Sequence, residues 1–209
     1  ISWSSDGDIS YDPYPGSPDY WIVKIDSSGN ILWDKIVGGT QGESLSTGDA
    51  TLDGGVVVIG HTYSSDGDVS VRYGWADTWA VKLSSEGELE WDYTIGTDWI
   101  DKGQAILATS DGGYLIASTS IILEGGIGNI SCFPHTYGWS DGMIFKLDSN
   151  LNIQWQKCYG GSDHDGIIAL IEVSDGYVFS AYVHSNDGDI SGWHEGYNHL
   201  GGPESDIWV

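Results

Sequence analysis

Basic residues are the scarcest charged class in this chain, with 7 Lys and Arg against 31 Asp and Glu among 209 residues, a net charge of −24. Nucleic-acid binding requires a basic footprint, and anionic membrane surfaces attract Lys and Arg, so both partners are excluded at once. Methionine occurs once, phenylalanine three times and proline five times. No apolar run approaches the ~18–20 residues that a membrane helix needs, and no signal-peptide pattern is present. Helical periodicity is also lacking. There are only two cysteines, Cys132 and Cys158, without metal-type spacing, so they are either a disulfide of an oxidising compartment or two buried thiols.

Aromatic residues and glycine are plentiful: 11 Trp, 12 Tyr and 31 Gly. With 40% hydrophobic residues, the chain can bury enough apolar surface to fold in spite of its charge. The acidic excess therefore reads as a solvated surface, as cation sites, or as adaptation to salt.

The sequence repeats. The run DYWIVKIDSSGNILWDKIVGG from Asp19 returns as DTWAVKLSSEGELEWDYTIG from Asp77 and as DGMIFKLDSNLNIQWQKCYGG from Asp141, and DIWV from Asp206 begins a fourth copy. These starts are 58, 64 and 65 residues apart. Within each unit, stretches of period-two alternation are broken by Ser-Ser-Gly, Gly-Gly and Asp-Gly-Gly, which reads as four short strands. In the first unit these strands are Tyr20–Asp26, Asn30–Val37, Glu43–Thr51 and Val56–Tyr63. The next unit continues with Asp77–Leu83 and Glu88–Ile95. The turns at Asp53-Gly54-Gly55 and Asp111-Gly112-Gly113, and a shortened one at Asp175-Gly176, supply the positive φ that tight hairpins demand.

A repeated unit of four antiparallel strands predicts an all-β fold, a β-propeller of four-stranded blades with about 3.5 blades in residues 1–209. The units run 19–76, 77–140 and 141–205, with partial units at 1–18 and 206–209. In blade order, Glu43–Thr51 is innermost and Glu88–Ile95 outermost, so each sequence unit straddles two blades. Since propellers have 4–8 blades, the missing ones are expected from a longer stretch of the same protein or from another chain.

The units resemble the tandem repeats of secreted and cell-surface propeller proteins of bacteria and archaea. The resemblance rests on Asp19–Gly39, Leu52–Gly60 and Ser65–Ser70, and the tryptophan before the outer turn is also similar to the repeats of pyrroloquinoline-quinone dehydrogenase propellers. It covers essentially the whole chain, apart from Met143 in place of Trp and the enlarged loop 121–140. It implies an extracellular or cell-surface location and a binding or adhesion role.

Three sets of residues are candidates for function. The first is the Asp-Gly-Asp loops, Asp6-Gly7-Asp8, Asp66-Gly67-Asp68 and Asp187-Gly188-Asp189, degenerate as Ile127-Gly128-Asn129. Alternate carboxylates around a glycine suit a hard cation such as calcium, with Asp6, Asp8, Asp66, Asp68, Asp187 and Asp189 as ligands. The same pattern also suits a turn whose Asp side chains accept local backbone hydrogen bonds. Asp19, Asp77 and Asp206 either complete such sites or bond the starts of their own strands.

The second set is the aromatic-rich loops: Trp75, Trp99, Trp139, Trp193, His164 and Tyr197 are expected to emerge on one face. Aromatic platforms with nearby carboxylates suit stacking on sugar rings, while loops rich in glycine also use aromatics as small cores of their own. The third set is Lys24, Lys82 and Lys146, in one register of an apolar strand. A lysine repeated in every unit reads as structural, paired with an acid or a carbonyl. Trp33, Trp91 and Trp155 read as packing residues by the same logic. Asn129-Ile130-Ser131 is a glycosylation sequon, meaningful in a secreted chain.

The even repetition points to a non-catalytic binding or adhesion propeller, possessing calcium-stiffened loops and a carbohydrate or cell-surface partner, rather than an enzyme. The alternatives are a structural subunit of a surface coat or filament, and a polysaccharide lyase or glycosidase.

Overall fold

A computed structural model describes residues 7–121, 128–132, 140–191 and 206–208. Asp6, Trp139, Trp193 and Tyr197 lie outside the described residues. The described chain contains no helix and consists of thirteen strands: β1 (Tyr20–Ile25), β2 (Ile31–Val37), β3 (Glu43–Ala50), β4 (Val56–Thr62), β5 (Asp77–Leu83), β6 (Leu89–Ile95), β7 (Asp101–Ala108), β8 (Tyr114–Ile121), β9 (Ser140–Leu147), β10 (Ile153–Tyr159), β11 (Asp165–Val173), β12 (Gly176–Val183) and β13 (Asp206–Trp208).

All strand pairs are antiparallel, and the strands form four sheets in the orders β1-β2, β3-β4-β5-β6, β7-β8-β9-β10 and β11-β12-β13. The expected strands are present, several a residue shorter. Asp26 leaves the ladder because its Oδ1 accepts hydrogen bonds from the backbone of Ser28 and Asn30 and its N–H donates to Asn30 C=O at 2.9 Å, closing the turn. The strands β3, β7 and β11 each carry one bulge against the strand that follows, at Leu45/Thr47, Gly103/Ala105 and Ile167/Ala169. Its recurrence in three copies marks it as a designed feature of the repeat.

The hairpin glycines have two separate tasks. Gly54 and Gly112 adopt φ +83°, which only glycine takes without strain. Their neighbours Gly55 and Gly113 sit so close to the adjacent strand that an added Cβ would lie 2.4 Å from Leu83 O and 2.2 Å from Leu147 O.

The four sheets pack face to face in chain order, so the middle strands are apolar on both sides. In β4, Val58 faces Tyr20, Ile22, Val37, Trp79 and Val81 in one core. Its neighbours Val57 and Ile59 face Ile106, Tyr114, Ile116, Met143 and Phe145 in the next core. A third core joins Ala105, Leu115, Ala117 and Ile144 to Ile167 and Leu170. Full burial of one such large side chain stabilises by about 1.5–3 kcal/mol. Tyr20 fills the space beside Trp79, with ring centroids 4.9 Å apart, and donates its hydroxyl to Trp79 C=O at 3.2 Å. Trp33, Trp91 and Trp155 pack against these cores from the outer strands, as expected.

The repeated lysines are structural. Lys82 pairs with Asp53 at 2.6 Å and with Glu90, while Lys146 pairs with Asp111 at 2.9 Å. Lys24 donates to Ser85 C=O at 2.8 Å, reaching from the first sheet into the second. Hydrogen bonds from the Thr109 hydroxyl and Lys146 hold Asp111 down at about 2.

The two cysteines form a disulfide with Cα atoms 5.7 Å apart, tying the segment 128–132 to β10. In the preceding unit the matching positions are Val71 and Thr94, where the Thr94 hydroxyl donates to Val71 C=O at 2.7 Å. A covalent bond thus stands where the earlier copy uses a hydrogen bond.

Candidate functional site

The strand register brings the β4–β5 loop and the β6–β7 loop to the same end of the sheets, since Thr62 pairs with Asp77 and Thr78 with Ile95. There the two loops join. Trp75 N–H and Ala76 N–H both donate to Trp99 C=O, at 2.9 and 3.1 Å, and Asp101 N–H donates to Ala76 C=O at 2.8 Å. Ala76 and Ile100 form a parallel bridge. Gly74 permits the approach, because a Cβ there would fall 2.2 Å from Thr97 O. Both indoles remain in water: Trp75 is 73% exposed and Trp99 45%. Tyr63 and Tyr73 are also partly open at this end, and Arg72 donates to Tyr63 C=O.

Beneath the tryptophans the frame is held by buried acids. Asp77 accepts from Tyr73 N–H at 2.6 Å and from Gly74 N–H at 3.2 Å. Asp101 accepts from Thr97 N–H at 2.7 Å. Burial pushes Asp101 up to about 6, and the charge of Asp77 adds to this. His61, behind Tyr63, is held neutral: burial and the Lys102 ammonium lower it to about 4.

His164 lies one sheet further along. Ser140 contacts its Nδ1 through both N–H and Oγ, at 3.3 and 2.9 Å. Counting from the inner-strand acids Asp101 and Asp165, His164 matches Ile100 and not Trp99, so it takes part in the next junction rather than in the tryptophan pair.

The Asp-Gly-Asp loops act as clasps. Asp66 accepts from Thr40 N–H at 2.8 Å and from Thr40 Oγ1 at 2.6 Å, while Asp68 accepts from Gly38 N–H at 3.1 Å and returns its own N–H to Gly38 C=O at 2.8 Å. Asp187 likewise accepts from Ser162 N–H at 2.7 Å, and Asp189 from Gly160 N–H at 3.4 Å. Gly67 and Gly188 take φ +68° and +67°. In the degenerate copy, Asn129 Oδ1 accepts from Gly96 N–H at 3.1 Å and its Nδ2 donates to Thr94 C=O at 2.9 Å. An amide therefore does what Asp68 does elsewhere, and the sequon asparagine is already engaged.

In these loops the carboxylates are engaged with the chain itself. Their oxygens are turned to N–H and O–H donors, and no group of three or more His, Cys, Asp or Glu that could hold a metal occurs among the described residues. Asp8 is exposed in the first loop.

One repeated feature escapes a reading of the sequence. Asp19, Asp77 and Asp141 at the starts of β1, β5 and β9 are each followed, 24 residues later, by Glu43, Asp101 and Asp165 at the starts of β3, β7 and β11. All six are buried. The three aspartates back onto the turn glycines Gly38, Gly96 and Gly160, where a Cβ would come within 2.2, 2.0 and 2.4 Å of their Oδ1 atoms. The constant interval was the available signal, hidden by the Asp/Glu exchange and by loops dense in other acids.

No family model matches the chain, and no curated protein matches it.

Proposed function

We propose that this chain is a portion of a β-propeller that binds carbohydrate, outside the cell, through an aromatic platform built on Trp75 and Trp99. The observation that carries the reading is that two large indoles, both open to solvent, are fastened to each other through their backbones over a frame of buried acids. A flat apolar ring presented by a rigid frame binds the apolar face of a sugar at low entropic cost. Exposed indoles without a partner otherwise cost solubility, so their retention speaks for contact with a ligand.

The propeller reading is supported by the sheet order and by the state of the last sheet. Leu107 and Leu115 lie under β11 and β12, whereas their counterparts one sheet on, Ile171 and Val178, face outward, Ile171 being 56% exposed. An apolar face of that kind is made for a further sheet of the same type. The Cys132–Cys158 bridge supports an oxidising, extracellular setting.

The test is binding to a panel of neutral and acidic polysaccharides, followed by calorimetry. Neutral glycans are expected to bind, with Trp75→Ala and Trp99→Ala each weakening the interaction about 5–10-fold, since stacking contacts are worth about 1–1.4 kcal/mol. Binding left intact by both variants would remove the tryptophans from the site. Turnover of any polysaccharide would overturn the non-catalytic reading.

A further inference from the structure

The Asp19–Glu43 junction poses a question of charge. Both residues are 1% exposed and they come from different sheets. Glu43 is supplied with donors on both oxygens: Thr62 Oγ1 at 2.7 Å on Oε1 and Gly39 N–H at 3.2 Å on Oε2. Asp19 Oδ1, by contrast, is buried without a hydrogen-bond partner among the described residues. A single point, where Gly38 would carry a Cβ, lies 2.2 Å from Asp19 Oδ1 and 2.7 Å from Glu43 Oε2, so the two carboxyl groups crowd one small space.

Among the described residues, the charges that act on Asp19 are acidic. From the leading loop the pair is faced by Asp12 and Tyr14, from β1 by Tyr20, and from the loop after β4 by Asp68. Lys35 on β2 acts on Asp68. Two carboxylates buried so close together resist ionising at once, because each charge raises the cost of the other where water cannot screen it.

We infer that Asp19 and Glu43 hold one proton between them at neutral pH and release it in mildly alkaline solution, so that the fastening between the first two sheets is operated by pH. Burial, then the neighbouring Glu43 carboxyl, push Asp19 up to about 8. The folded chain thus binds this proton more tightly than the unfolded chain does. Its contribution to stability is complete at low pH, shrinks as pH rises from the ordinary carboxylate range toward 8, and is gone above that. The Asp77–Asp101 junction repeats the arrangement with a weaker grip, Asp101 standing at about 6.

Asn copies a protonated Asp in shape, which makes Asp19→Asn the informative variant. Thermal midpoints are measured at about pH 6 and about pH 9, at constant ionic strength and with chelator present. The native chain is expected to lose several degrees between the two, and Asp19→Asn distinctly less. Infrared spectra of the native chain provide the second readout: a carbonyl stretch of a buried protonated carboxyl is expected at about pH 7, where Asp101 is already mostly ionised, and absent at about pH 9. That band is read whether or not the variant folds. Equal losses in both proteins, or no such band at about pH 7, would overturn the inference. So would a rise in the native midpoint on adding calcium at pH 8 that Asp19→Asn does not show, since a metal rather than a proton would then occupy the pair.

Discussion

At the scale of single residues, the structure separates what an acid is for from how it looks in the sequence. Asp68 resembles a cation ligand, but its work is to receive Gly38 N–H, and Asn129 performs the same work for Gly96 with an amide. Asp68→Asn is therefore expected to change unfolding free energy by no more than about 0.5 kcal/mol, and Asp68→Ala to cost about 1–2 kcal/mol by orphaning the Gly38 N–H. Urea titration with and without chelator measures both. A large chelator effect on the native chain that Asp68→Asn abolishes would assign calcium to the loop. The lysine register and the turn glycines were legible beforehand because each is fixed by a local rule. The partner of Asp19 was not, because it lies 24 residues away and is Glu43 where the later copies have Asp101 and Asp165.

At the scale of elements, strand existence and order could be read almost completely. Period-two alternation, glycine turns and a sixty-residue period leave few alternatives. The ends were less legible: Asp26 and Thr51 have strand-like neighbours but are drawn into turns by their own hydrogen bonds. The disulfide could not be foreseen, since the spacing of two cysteines says nothing of their distance until the strands are paired. Comparison with Val71 and Thr94 shows what it replaces. The double variant Cys132→Val/Cys158→Thr is expected to fold, with the hydrogen bond of the preceding unit restored. It should lose on the order of 2–4 kcal/mol relative to the oxidised chain, the usual contribution of a native bridge. Denaturant unfolding of both proteins, with and without reductant, checks this; reductant should affect only the native chain.

For the whole molecule, charge is the dominant property. A net −24 on 209 residues makes the compact state repel itself, and few Lys or Arg are present to offset it. Raising ionic strength from about 10 mM to about 150 mM shortens the screening length from ~30 Å to ~8 Å. The thermal midpoint should rise by several degrees over that range and then level off. A midpoint that falls instead would show that the few lysine pairs outweigh the repulsion. The same field disfavours sulfated and uronic polysaccharides, which is why neutral glycans are the expected ligands of the tryptophan pair.

The turn glycines also bear on how such a chain could be taken apart and rebuilt. A segment cut at the repeated Asp-x-Trp would carry halves of two sheets and expose the inner edge of each. A segment cut at the Gly-Gly and Gly-Thr turns, from Gly39 to Gly96, carries β3, β4, β5 and β6 as one finished sheet. Exchanging or duplicating pieces there leaves every ladder whole, and only the clasp and the acid pair at each new seam have to be matched. The natural joints of the protein lie half a period away from the joints of its sequence.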